Sequence, residues 1–186
     1  MSRRVLVIKA SPREKGNSSV LANRVMDGAG EVGATTESVS LHRLDIRPCR
    51  GCDTCRATHA CVIKDDMQGL YPKLLAAEAI VLASPIYWFT FSGGMKTFID
   101  RWYALWNIAK EPFKDKPVGI VLSYGDTDPY TSGCINAIHT FESIFRFLEA
   151  PIAGWVYGSA MEIGDVQKNP ALLDSARSLG RQLGTA

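Results

Sequence analysis

Four short apolar runs, Val5 to Ala10, Ala79 to Ser84, Val118 to Ser123 and Ile152 to Tyr157, stand between turn residues and alternate with longer segments of helical periodicity. Runs this short and this continuous suit strands buried on both faces, as in a parallel sheet. A weaker alternating run around Thr36 to Leu44 supplies a fifth strand. Helical spacing recurs in Ser18 to Val32, Asp65 to Ala77, Ser92 to Trp106, Ser132 to Leu148 and Pro170 to Leu183. Asp65-Asp66-Met67 gives an acidic helix start, and Asn169-Pro170 places a cap before a first-turn proline. This βαβαβ order predicts one α/β domain over residues 1–186, its sheet covered by helices on both faces. With 46% hydrophobic residues and no linker or repeat, the chain has enough apolar surface for a core without disulfide staples.

The segment from about residue 46 to 64 breaks the rhythm. It holds Cys49, Cys52, Cys55 and Cys61 at the spacing C-x2-C-x2-C-x5-C, four of the five cysteines in the chain. Connections of this length inside a domain are usually functional or disordered. The first apolar run is interrupted by Lys9 and Pro12, too early for a signal peptide or membrane span, so we expect a cytoplasmic protein. There, clustered thiols point to a metal or redox site. A structural zinc commonly draws its thiolates from two separated C-x2-C knuckles. Evenly spaced thiols can instead wrap a 4Fe-4S cluster, each on its own iron, and this is the expected centre; zinc and free redox-active thiols are the alternatives. Arg47, Arg50 and Arg56 flank the thiols and favour thiolates. A net charge of +2 without a basic tract gives no reason to expect nucleic acid or membrane.

A second site lies after the first strand. Ala10-Ser11-Pro12-Arg13-Glu14-Lys15-Gly16-Asn17-Ser18-Ser19 runs directly into a helix, so hydroxyls and free main-chain N–H groups gather at a helix N-terminus, where an anion belongs. The run has neither the Gly-Lys-Ser/Thr of a P-loop nor the G-x-G-x-x-G of a dinucleotide fold, which argues against ATP and Rossmann-bound NAD.

The phosphate-loop pattern Ser11-x-Arg13-x-x-Gly16-Asn17-Ser18, followed by Ser84-Pro85-Ile86-Tyr87-Trp88 and by Lys96-Thr97-Phe98-Ile99-Asp100-Arg101, resembles the NADPH-dependent FMN reductase family over roughly residues 4 to 126. With the four cysteines and Asp65-Asp66-Met67 included, it is most similar to the iron-sulfur flavoproteins of that group. The resemblance implies FMN, a homodimer or homotetramer, and a flavodoxin-like three-layer sandwich with a five-stranded parallel sheet of order 2-1-3-4-5. Ser11, Asn17, Ser18 and Ser19 would then hold the phosphate, with Arg13 in the same loop. Pro85, Ile86, Tyr87, Trp88 and Phe89 would meet the isoalloxazine, and Ser123, Tyr124, Gly125 and Asp126 would close over it. Both motifs fall at the carboxyl ends of strands one and three, where an open parallel sheet binds its ligand.

The expected function is an FMN-dependent oxidoreductase taking electrons from NAD(P)H or ferredoxin to a small acceptor such as a flavin, quinone or oxygen species. No side chain is assigned acid-base catalysis, because the cofactor carries the chemistry. A non-catalytic electron carrier and a zinc-stabilised binding module are the alternatives. Lys96 and Asp100 read as a helical ion pair or packing contact, Arg101 is given no role of its own, Trp102 and Trp106 share a helix face that reads as buried core with an oligomer interface as the alternative, and Cys134 reads as a buried hydrophobe. His42, His59 and His139 lie in separate regions, and none is given a catalytic role.

Overall fold

The computed structural model describes residues 2–185. Strand β1 (Arg4–Lys9) leads into α1 (Asn17–Glu31) and β2 (Thr35–Ser40); the cysteine segment, with a short α2 (Thr54–Thr58), then precedes α3 (Met67–Ala76) and β3 (Ala79–Tyr87). A two-residue β4 (Thr90–Phe91), α4 (Gly93–Asp100), α5 (Trp102–Ile108), β5 (Val118–Tyr124), α6 (Cys134–Phe147), β6 (Ile152–Ser159) and α7 (Pro170–Thr185) complete the chain. The parallel strands run in the order β2-β1-β3-β5-β6, and β4 pairs antiparallel with β3. This is the flavodoxin-like order expected, with one correction: the sheet has six strands, because residues 87–90 fold back as a hairpin. No helix among the described residues is long and apolar enough to cross a membrane.

Period-two alternation divides the core. Val5 and Val7 of β1, with Val81 and Val121, pack under α1 and α7, whereas Leu6, Ile8, Leu82 and Ile120 face α3, α4 and α6. Both faces of every central strand are therefore dry, so only strand ends can carry polar chemistry. Chain direction reverses at β1, going outward to β2 on one side and to β3, β5 and β6 on the other. The crevice at the carboxyl ends of β1 and β3 is the switch point.

Two further expectations change. The single helix over Ser92 to Trp106 is broken at Arg101, where the Arg101 N–H donates to Phe98 O at 3.2 Å and the Arg101 carbonyl accepts from the Tyr71 hydroxyl at 3.3 Å. Trp102 is buried as expected, but Trp106, one turn further along α5, lies partly exposed against Phe147. The weak run to Leu44 ends as a strand at Ser40 and continues as a 3-10 turn over Leu41–Arg43. The Lys96–Asp100 ion pair forms at 2.6 Å, and Cys134 is fully buried, which pushes its thiol up to about 12.

Helices α1 and α7 touch through glycines. A Cβ on Gly180 would stand 2.0 Å from Val25 O, and one on Gly28 would stand 1.9 Å from Arg177 O. Backbone cannot yield that far without moving a helix. Gly180→Ala should cost about 3 kcal/mol by overpacking, read as a lower urea midpoint with an unchanged slope; a wild-type midpoint would contradict this packing.

Candidate functional site

At the end of β1, Ser11 Oγ accepts from the Arg13 N–H and lies within hydrogen-bond distance of Arg13 O, each at 3.1 Å, folding the loop back on itself. Gly16 closes the turn: a Cβ there would stand 2.6 Å from Ser11 Oγ. Ser11, Asn17, Ser18 and Ser19 are buried, while Arg13 is exposed. The first turn of α1 leaves main-chain N–H groups without intrahelical acceptors. Ser18 Oγ is buried there with no hydrogen-bond partner. A hydroxyl orphaned beside free N–H groups fits an anionic oxygen, and the phosphate of FMN supplies one.

Asn17 contributes differently from the expectation. Its amide Nδ2 donates to Ala160 O at 3.1 Å and Glu162 O at 2.8 Å, and its Oδ1 accepts from the N–H groups of Gly164 and Val166. With its side chain fully engaged, Asn17 offers a phosphate only its main-chain N–H. The side chain instead brings the loop after β6 to the phosphate turn.

The ends of β1 and β3 are joined by a buried serine pair. Ser84 Oγ accepts from the Ser92 N–H at 3.0 Å, and Ser92 Oγ donates to Ala10 O at 3.2 Å. Beyond this tie the hairpin turns through Trp88 and Phe89, at φ 48° and 67°. Two consecutive left-handed aromatics are uncommon, and each costs on the order of 1–3 kcal/mol. Asn136 Nδ2 holds Phe89 O at 3.1 Å, and Gly133 packs so closely that a Cβ would meet Phe89 at 2.4 Å. The turn therefore presents Tyr87, Trp88 and Phe89 to solvent, with Trp88 92% exposed, while Pro85 stays buried. Aromatics held outward at such cost are not core.

A cavity of about 300 Å³ lies between this hairpin and the loop after β5, lined by Ile86, Trp88, Phe89, Gly125, Asp126 and Met161, among others. The expected Ile86, Trp88, Phe89, Gly125 and Asp126 meet here. Ser123 and Tyr124 are buried at the end of β5 just beneath. Asp128 organises the loop, accepting from the N–H groups of Tyr130 and Thr131 and from the Thr131 hydroxyl, bonds that hold its carboxyl below the usual range. Thr131, Ser132 and Met161 also line the cavity and were not anticipated. Helix-start residues and a post-strand methionine carry no motif; only the rule that ligands gather at carboxyl strand ends pointed toward them. Tyr87 lines a different cavity of about 300 Å³, shared with Pro12, Leu44 and Ile46 at the neck of the cysteine segment.

That segment is ordered, contrary to a featureless connection. Its neck is a ladder: the Asp45 N–H donates to Asp66 Oδ2 at 2.8 Å, the Asp66 N–H to Asp45 O at 3.0 Å, and the Arg47 N–H to Asp65 Oδ2 at 2.9 Å. Gln68 Nε2 braces Cys61 O and Ile63 O at 3.1 and 2.7 Å. Cys49, Cys52, Cys55 and Cys61 line one recess together with Arg50, Arg101 and Tyr103. Among the described residues no three His, Cys, Asp or Glu side chains close on a single ion. Four thiols spread around one recess suit a centre with several metal atoms, each taking one thiolate.

Arg101, given no role of its own by the sequence, is the anchor. Its side chain is 1% exposed, and the Asp65 side chain is fully buried; Nη1 lies 2.5 Å from Asp65 Oδ2 and Nη2 3.1 Å from Oδ1. Nη1 also donates to Arg47 O at 2.8 Å, and Nη2 reaches Cys61 Sγ at 3.4 Å. Burial disfavours the Asp65 carboxylate, but the Arg101 guanidinium and the Arg47 N–H outweigh it and hold its pKa below the usual value. Of the flanking arginines, Arg47 pairs with the neck, and Arg50 adds only a minor attraction at Cys52. Thr54 does more, holding the Cys52 thiol below its ordinary range through main-chain and side-chain hydrogen bonds, whereas burial raises Cys55. His59 Nδ1 sits 2.7 Å from Asn107 O.

The fold and its two sites define a flavin-binding class of α/β proteins. The model of the NADPH-dependent FMN reductase family matches residues 3–160, and the chain belongs to that family. It is 29% identical to an iron-sulfur flavoprotein of Methanocaldococcus jannaschii, over 97% of this chain and 95% of that one. It is 30% identical to an iron-sulfur flavoprotein of Methanosarcina thermophila, over 90% of this chain and 84% of that one. Among solved structures, the Trp repressor binding protein of Bacillus subtilis is similar, at TM-score 0.71 and 26% identity, covering 94% of this chain and 96% of its own. The chain is thus an NAD(P)H-dependent FMN reductase-like oxidoreductase.

Asp65→Asn leaves Arg101 buried without its counter-charge and should cost about 3 kcal/mol at neutral pH. A carboxylate with a lowered folded pKa contributes its stability above its unfolded value, about 3.9, and loses it as pH falls through the folded value. Urea melts of both proteins should show a constant gap from pH 8 to 6 and a narrowing gap in acid; a pH-independent gap would refute the charged pair.

Proposed function

We propose that this chain moves electrons from NAD(P)H or a ferredoxin through FMN, and through a 4Fe-4S cluster held by Cys49, Cys52, Cys55 and Cys61, to a small acceptor such as a flavin, quinone or oxygen species. The observation that carries the flavin reading is the orphaned Ser18 Oγ at the start of α1, opposite an aromatic hairpin at the same sheet edge. The recess of four thiols supports the cluster, as does the likeness to relatives named iron-sulfur flavoproteins. FMN accepts a hydride as an electron pair and releases electrons singly, which matches an acceptor that takes one at a time.

The residues bind and orient. Ser18 and the first N–H groups of α1 hold the phosphate, while Arg13 remains at the solvent side of the turn. The loop from Ser123 to Asp126 and the hairpin bracket the ring, and Asn136 and Gly133, which hold the strained turn at Trp88 and Phe89, keep the hairpin from relaxing into the cavity. Because Trp88 stands almost free, a planar acceptor can stack on it. We assign the working form to a homodimer or homotetramer in the cytoplasm, where thiols stay reduced. The exposed pair Trp106 and Phe147, 5.5 Å apart beside the cysteine segment, supports self-association.

Rapid anaerobic mixing with NADPH should bleach the flavin band within the turnover time. A flavin that bleaches only with dithionite or reduced ferredoxin would instead make the protein an electron carrier. Ser18→Ala removes one hydrogen bond to a charged group, so its FMN Kd should rise about tenfold or more; an unchanged Kd in a fluorescence titration would displace the phosphate from this turn.

A further inference from the structure

Three of the four clustered sulfurs have a side-chain donor aimed at them. Arg101 Nη2 lies 3.4 Å from Cys61 Sγ, Thr54 Oγ1 lies 3.6 Å from Cys52 Sγ, and Asn107 Nδ2 lies 3.9 Å from Cys55 Sγ. A neutral thiol is a weak acceptor, and little is gained by surrounding it with donors. A cluster-bound thiolate carries negative charge, so a donor beside it gains more than it would from a neutral thiol.

Two of the donors are fixed by other bonds. The Arg101 fork is locked by Asp65 and by Arg47 O. Asn107 Nδ2 also donates to Tyr103 O at 2.7 Å, and the Asn107 carbonyl faces His59 Nδ1 across the segment. Tyr103 hydroxyl donates to Asp53 Oδ1 at 2.8 Å, tying α5 to the start of α2. Residues 101, 103 and 107 thus make one template against which the cysteine segment is laid. Arg101 heads it, one residue after α4, whose own start is joined to the flavin hairpin through Ser92.

Resting on the reading of the segment as an iron-sulfur site, we propose that Arg101, Asn107 and Thr54 are the positioning residues that set the reduction potential of that centre. Each donor stabilises the state in which the sulfurs carry more negative charge, the reduced one, and so raises the potential. Arg101 has the largest effect, because its fork, locked by Asp65 and Arg47 O, sets Nη2 3.4 Å from Cys61 Sγ, the shortest of the three donor contacts. Among the described residues Cys49 has no such donor, and it is exposed.

The test uses the full chain, purified and reconstituted anaerobically with iron and sulfide, as wild type and as Arg101→Lys, Asn107→Ala and Thr54→Val. Iron and sulfide are counted, and the midpoint potential is read by redox titration followed in the EPR signal. Asn107→Ala and Thr54→Val should load iron as wild type does, with midpoints shifted to more negative values. Arg101→Lys, which keeps the charge but loses the fork, should shift further or lose iron. Should Arg101→Lys fail to fold, the other two variants decide the matter. Full iron with unmoved midpoints in both overturns the donor assignment alone. Wild type that takes up no iron in the same preparation overturns the reading of the segment, and the donor assignment with it.

Discussion

A parallel sheet with both faces buried leaves one kind of surface for chemistry, the loops at its strand ends. Here alternate residues of β1 divide between two helical layers, so Val5 and Val7 face one core and Leu6 and Ile8 the other. The direction of chain travel changes between β1 and β3, and their carboxyl ends part to leave a crevice. The phosphate turn, the aromatic hairpin and the loop after β5 all open there. The Asn17 side chain, bonded to the loop after β6, fixes the start of α1, whose N–H groups face the crevice.

The buried pair of Arg101 and Asp65 does for the cysteine segment what the sheet does for the flavin site. Net stabilisation from such a pair is small, because desolvation offsets much of the attraction. Its value is geometric: one guanidinium fixes the neck at Arg47 O, the carboxylate of Asp65 and the sulfur of Cys61. The same residue ends one helix and begins the next, so the position of the cysteines is coupled through α4 to Ser92 and the hairpin.

Strands were legible in the sequence because burial on both faces makes short, continuous apolar runs, and four of five were placed to within a few residues. The tight turn into α1 was legible because serines, glycine and asparagine gather where a strand passes directly into a helix. What escaped was non-local. Arg101 finds its partner 36 residues away, and the nearer Lys96–Asp100 spacing suggested only local pairing. Asn17 looked like a phosphate ligand, yet its amide is taken by residues more than 140 positions downstream. The hairpin at Trp88 and Phe89 lacks the Gly or Asn that usually marks left-handed turns, since Gly133 and Asn136 from elsewhere enforce it. Helix α2 is five residues long, too short to show a period.

A flavin and an iron-sulfur centre on one chain is the central claim, and cofactor stoichiometry measures it most directly. Protein purified without oxygen should contain one FMN per chain with about four irons and four sulfides, and a broad brown absorbance beneath the flavin bands. Flavin with zinc, or flavin with no metal, in the same anaerobic material would contradict it.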